Sequence, residues 1–268
     1  MAGDLDSFFA ELDAWATAAA WPVDTLQYGR HPDQVADLRL PAVGSEPHPV
    51  AVVLHGGFWR PRYTRPAMDA VAVALAQAGW ASWNVEYRRV GAGGGVPETL
   101  EDVAAAVTAL RELDAPLDRS RIAAVGHSAG GHLALWLAGT GLISRAVSLA
   151  GVCDLAEAAR HGIGDGAVLD LAGGTPEEAP DSYALADPGA RLPTGVPQLL
   201  VHGDRDDAVP VEHSRAYADK ARAAGDPCEL LELAGTGHFD VIDPRSDAWA
   251  QFMSRFAAEE SERSRADR

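Results

Sequence analysis

From about residue 50 onward, short apolar-rich runs alternate with helix-like segments, and this alternation constrains the fold more than any other feature of the chain. The runs cover 50–54, 81–85, 121–125, 146–149, 198–201 and 229–233. Runs this short, with little polar alternation, suit strands buried on both faces. Between them, helices are expected over about 65–78, 97–113, 129–139, 213–224 and 244–258. Pro97 and Pro244 stand near the start of two of these, where a missing N–H costs nothing. Upstream, residues 5–20 place Leu5, Phe8, Phe9, Leu12 and Trp15 on one helical face, and short strands are expected at 25–28 and 35–40. Strand–helix–strand repetition requires a mostly parallel sheet covered by helices. The expectation is one α/β domain over residues 1–268.

Two stretches break the rhythm. Residues 91–95 (GAGGG) read as a loop; with Val96 next in the chain, they do not form a dinucleotide fingerprint. Residues 154–196, rich in Gly, Pro and acids, form a long excursion expected to be cap-like, covering a site or carrying small helices. The charged tail from Glu259 is expected to fray.

Charge and rare residues exclude several functions. With 22 Lys+Arg against 39 Asp+Glu, the net charge of −17 repels nucleic acid and anionic membrane surfaces. Lys220 is the sole lysine and no GK[ST] occurs, which removes the P-loop and leaves Schiff-base chemistry one residue to depend on. Cys153 and Cys228 share no CxxC and are expected to be reduced. The first basic residue is Arg30, so no export signal is expected, and no apolar run approaches the ~18 residues of a spanning helix. A cytoplasmic protein is expected; assembly as a homodimer stays open.

The sharpest motif is Gly126-His127-Ser128-Ala129-Gly130, between an expected strand and an expected helix. In that position GxSxG makes a tight turn that lifts the serine oxygen above the strand end, and Ser128 is the candidate nucleophile. A serine needs a base and an orienting acid, which in such a fold come later in the chain in the order acid, then histidine. After the run at 198–201 comes His202-Gly203-Asp204-Arg205-Asp206-Asp207, and after that at 229–233 comes Gly235-Thr236-Gly237-His238-Phe239. His238 is the candidate base and Asp206 the favoured acid. Asp204 is read as holding the turn and Asp207 as capping the next segment, with Asp240 and Asp243 as outside alternatives. Asp204-x-Asp206 does not open a calcium loop, because Ala208 and Pro210 stand where ligands would be needed.

The third element is His55-Gly56-Gly57-Phe58-Trp59, directly after the run at 50–54. A Gly-Gly turn there can aim backbone amides at a developing oxyanion. The candidate donors are Gly57, Phe58 and Ala129, with His55 holding the loop. Trp59 is the candidate substrate-pocket residue, while Trp80, Trp83 and Trp136 are assigned to packing. Cys153 is read as packing rather than nucleophile. The five-residue spacing of His127 and His132 argues against a metal. Arg60, Arg62 and Arg88 are candidates for holding a charged substrate.

The order HGGFW, GHSAGG, HGDRDDAVP, GTGHF resembles the α/β-hydrolase superfamily of serine hydrolases, over roughly residues 25–258. Within it, the chain resembles kynurenine formamidases and small HGG-type carboxylesterases, including the feruloyl-esterase-like group. The resemblance implies a triad on Ser128, Asp206 and His238, no metal or organic cofactor, and a small ester or formamide as substrate. Lyase or perhydrolase chemistry and a catalytically silent binding protein are the other readings the fold allows.

Overall fold

The computed structural model describes residues 2–42 and 47–266, apart from the side chains of residues 2–4 and 259–266. Eight strands form one sheet: β1 (Asp24–Gln27), β2 (Val35–Arg39), β3 (His48–Leu54), β4 (Ala81–Val85), β5 (Leu117–His127), β6 (Arg145–Leu149), β7 (Gln198–Gly203) and β8 (Cys228–Leu233). Their order is β1-β2-β4-β3-β5-β6-β7-β8; β1–β2 and β2–β4 pair antiparallel, and all other pairs are parallel. This is the mostly parallel sheet expected from the alternating runs.

The helices are α1 (Ala2–Ala18), α2 (Asp69–Gln77), α3 (Glu98–Ala109), α4 (Ala129–Ala138), α5 (Leu155–Arg160), α6 (Ala167–Ala172), α7 (Pro180–Ala186), α8 (Glu212–Ala223) and α9 (Asp247–Ala266). The helix expected over 65–78 is split into a short 3-10 turn, Arg65–Met68, with Pro66 in its first turn, followed by α2. Charged residues do not stop α9, whose backbone stays helical through Ala266, in contrast to the fraying expected from Glu259. Glu, Arg and Ala are good helix formers, so the composition supports a helix.

Alternate strand residues feed two cores. Val50, Val52 and Leu54 point to the face carrying α3, α4 and the 154–196 excursion. Ala51, Val53 and Val125 point to the face carrying α2 and α9. α1 packs Leu12 and Ala16 on Ala70 and Val73 of α2, outside both layers. The excursion folds into α5, α6 and α7, whose Leu155, Val168, Leu171 and Tyr183 are buried in the first core. Parallel order brings the ends of β3, β5, β7 and β8 to one edge of the sheet, where ligands of open α/β sheets bind.

Candidate active site

Ser128 lies between β5 and α4 with φ +54° and ψ −117°, a region that side-chain-bearing residues rarely hold. Two glycines make the turn feasible. A Cβ on Gly126 would lie 1.9 Å from the Gly130 carbonyl, and one on Gly130 would lie 2.1 Å from that of Leu54. The Ser128 amide donates to Leu149 O of β6 at 2.9 Å, which fixes the turn to the sheet. Ser128 and His238 both line a cavity of about 480 Å³ at the strand-end edge.

His238 comes after β8, and its Nδ1 lies 2.7 Å from Asp206 Oδ2. Asp206 is held from three sides. Its Oδ1 accepts from the amides of Ala208 at 2.9 Å and Val209 at 2.8 Å, and Oδ2 also faces His202 Nε2 at 3.1 Å. Burial pushes its carboxyl up, but the hydrogen bonds from His202 and His238 override that and hold it well below the ordinary range. The four other acids are engaged or placed elsewhere. Asp204 accepts from Gly235 N at 2.6 Å, Asp240 accepts from Gly237 N at 2.7 Å, Asp243 pairs with Arg245 at 2.9 Å, and Asp207 is exposed at the cavity wall. Asp204 thereby ties the turn after β7 to the loop after β8.

Two histidines missed in the sequence reading support this pair. His202 is fully buried; Ser214 Oγ lies 2.7 Å from its Nδ1, which leaves Nε2–H to face Asp206 and Val209 O. His127, the variable residue of GxSxG, donates from Nε2 to the His238 carbonyl at 2.9 Å. Burial pushes the His127 imidazole down to about 3, which keeps it neutral. The signals are present, one histidine inside each motif, but their partners are remote in sequence.

The segment after β3 carries three successive positive φ values: Gly57 (+107°), Phe58 (+52°) and Trp59 (+55°). A Cβ on Gly56 would come within 3.0 Å of Ser128 Cβ, so this loop runs directly against the candidate nucleophile. His55 bridges the Gly56 carbonyl and Glu86 Oε1, each at 2.8 Å, and stacks on Tyr87. That arrangement matches the loop-holding role expected of His55, and Glu86 is its partner. The turn sends Phe58 to the cavity and Trp59 into the core. Trp59 is fully buried and edge-on to His132, and it does not line the cavity, so its assignment as a pocket residue is corrected. Adjacent aromatics in a left-handed turn point apart, and their sequence alone does not say which one faces the substrate.

Among the described residues, the 154–196 excursion contributes nothing to the cavity wall, contrary to a cap-like role. It braces the loop from behind instead. Arg60 pairs with Asp170 at 2.7 Å and donates to Asp165 O at 2.9 Å, and Gly164 lies against the Phe58 ring. The wall opposite comes from α1, whose Leu5 and Phe9 line the cavity with Tyr63 and Phe239. Phe9 sits 5.4 Å from Tyr63 and 5.5 Å from Phe239, next to His238.

Arg60 and Arg62 reach the cavity, whereas Arg88 is bound by Asp102 at 2.7 Å and does not line it. Cys153 is fully buried with its thiol pushed up to about 12 by burial, in keeping with packing; both cysteines are free. No cluster of three or more metal-ligating side chains occurs among the described residues. No helix among them is long and apolar enough to cross a membrane.

Residues 36–221, well over half of the chain, match the family model described as BD-FAE. The chain belongs to the BD-FAE family. This BD-FAE protein is 30% identical over 264 residues to esterase LipC of Mycobacterium tuberculosis, covering 85% of this chain and 64% of that protein. It therefore spans just under two thirds of the length of that relative. Esterase B from Lactobacillus rhamnosis superposes with a TM-score of 0.78 at 17% identity, covering 100% of this chain and 97% of that one. A truncated carbohydrate esterase from gut microbiota gives 0.77 at 20% identity, covering 90% and 97%. At such identities the likeness is one of fold, and the fold is the α/β hydrolase anticipated from the motifs.

Proposed function

We propose that this BD-FAE protein is a serine hydrolase that cleaves small carboxylic esters through an acyl-enzyme. The observation that carries the reading is the 2.7 Å contact between His238 and Asp206 beside a Ser128 held at φ +54° on the same cavity. In this reading His238 takes the Ser128 proton as the oxygen attacks the carbonyl. The amides of Gly57, Phe58 and Ala129 receive the oxyanion, and His238 then protonates the leaving group before water releases the acyl group. Asp206, kept ionised by its donors, orients His238 and stabilises its charged form. No cofactor enters the cycle. The substrate is a small molecule, the catalytic unit is a single domain, and the location is cytoplasmic; two unpaired cysteines agree with a reducing compartment.

A second reading, arylformamide hydrolysis with N-formylkynurenine as substrate, draws support from charge at the cavity. Arg60, Arg62 and Asp207 line the same largely apolar cavity, charges suited to the carboxylate and ammonium of an amino-acid substrate. The test is side-by-side turnover of p-nitrophenyl acetate, p-nitrophenyl butyrate and N-formylkynurenine by wild type and Ser128→Ala. Ester turnover that disappears in the variant is the expected result. A formamide rate far above both ester rates selects the second reading, and equal inertness of both proteins on all three overturns both.

A further inference from the structure

The cavity beside Ser128 ends at a pair of rings. Phe9 and Tyr63, 5.4 Å apart, line the catalytic cavity together with Arg62 and Ala67. The same four residues line a second cavity of about 350 Å³, which continues along α1 past Leu12, Pro66 and Ala70. The two spaces therefore share a wall, and its Phe9 ring packs on both Phe239 and Phe8, which also touch each other. We propose that the Phe9–Tyr63 pair is a partition that limits the length of the substrate's apolar chain, with the second cavity as a latent extension of the site. The inference rests on the ester-hydrolase reading and adds a residue that sets chain length.

The chemistry of the two spaces defines what the partition excludes. The catalytic side is walled by Leu5, Phe58, Met68 and Ile242 as well as the rings, so it takes an uncharged alkyl or aryl group. Beyond the partition, Asp6 and Asp13 line the second cavity and disfavour a chain that ends in a carboxylate. The excluded class is thus the neutral medium-chain ester.

Of the two rings, Phe9 is the one to change. Tyr63 backs the oxyanion loop, where a Cβ on Gly57 would lie 2.8 Å from its ring, so shortening Tyr63 would disturb the chemistry as well. Phe9 comes from α1, and its ring contacts are with Phe8, Tyr63 and Phe239.

The experiment compares kcat/KM for p-nitrophenyl octanoate and acetate in wild type, Phe9→Ala, Phe9→Leu and Trp15→Ala, with a thermal melt of each. Wild type is expected to favour acetate, and Phe9→Ala to raise the octanoate-to-acetate ratio about tenfold or more, since each buried methylene strengthens binding severalfold. Phe9→Leu is expected to fall between them. Trp15→Ala, which loosens the same helix at a residue that packs on the α1–α2 cluster and lines neither cavity, is expected to keep the wild-type ratio. The same ratio is read independently as inactivation rates by octyl and methyl phosphonofluoridates. A folded Phe9→Ala with an unchanged ratio by both readouts overturns the partition, as does a wild type that accepts both chains equally. If no ester is turned over yet the phosphonate ratio rises in Phe9→Ala, the partition stands and the ester reading fails.

Discussion

The N-terminal helix α1 and the 154–196 excursion are both additions beside the central sheet, and they do opposite things at the site. The excursion buries its apolar residues in the main core and meets the oxyanion loop from behind, through Arg60–Asp170 and the Gly164–Phe58 contact. α1 rests on α2 through a small cluster and presents Leu5 and Phe9 to the cavity itself. In the proposed reading, the segment integrated into the core governs the geometry of the reaction and the one perched outside governs what fits, so that specificity is free to change without disturbing catalysis.

The largest effects are expected where neither addition matters. Asp206→Asn leaves the cavity shape intact but offers His238 the wrong hydrogen-bonding partner, and kcat is expected to fall by about 10³–10⁴. Steady-state kinetics at one pH checks this, and a loss below about tenfold would move the acid elsewhere.

Acid sensitivity comes next. Burial holds His127 at about 3 and His132 at about 4, against about 6.5 when unfolded. Between about pH 6.5 and 4 the unfolded chain therefore binds more protons, and stability falls as pH falls. The slope approaches about 1.4 kcal/mol per pH unit for each such histidine. Asp206 works in a lower window: its depressed carboxyl stabilises the fold fully above about pH 4 and loses that contribution only below it. His127→Gln, which keeps a donor for the His238 carbonyl, is expected to flatten the denaturation slope between pH 6.5 and 4.5. An unchanged slope would mean that His127 is not neutral in the folded protein.

The smaller effects bear on the comparison itself. Asp170→Ala releases Arg60 from behind the loop and is expected to lower kcat about threefold to tenfold with KM little changed. Because the pair is half exposed, the melting temperature is expected to move by only a few degrees at most. Leu5→Ala removes apolar wall and is expected to raise KM about threefold with kcat held. If both substitutions moved the same parameter, the division of labour between the two additions would be wrong.

Much of this is legible in the chain because it depends on local pattern. All eight strands overlap the expected segments, and β3 to β7 do so because strands covered on both faces need continuous apolar residues. Ser128, His238 and Asp206 are each marked by a turn at a strand end, and the structure brings His238 and Asp206 into contact and sets Ser128 on the same cavity. The parts that are not legible depend on where remote segments meet. The string GGFW does not reveal that successive positive φ values turn Trp59 inward and Phe58 outward. Nor does the amphipathic face of α1 say that one end covers α2 while the other lines the cavity. The excursion reads as a cap because of its Gly, Pro and acid content, yet its scattered apolar residues are enough to draw it into the core.

The most direct test of the central claim is intact-mass and peptide-mapping analysis of the protein after reaction with a fluorophosphonate. A single adduct on Ser128, absent in Ser128→Ala and much slower to form in Asp206→Asn, is the predicted result. No adduct on the folded wild-type protein, or an adduct on another residue, would contradict the assignment of Ser128 as the activated nucleophile.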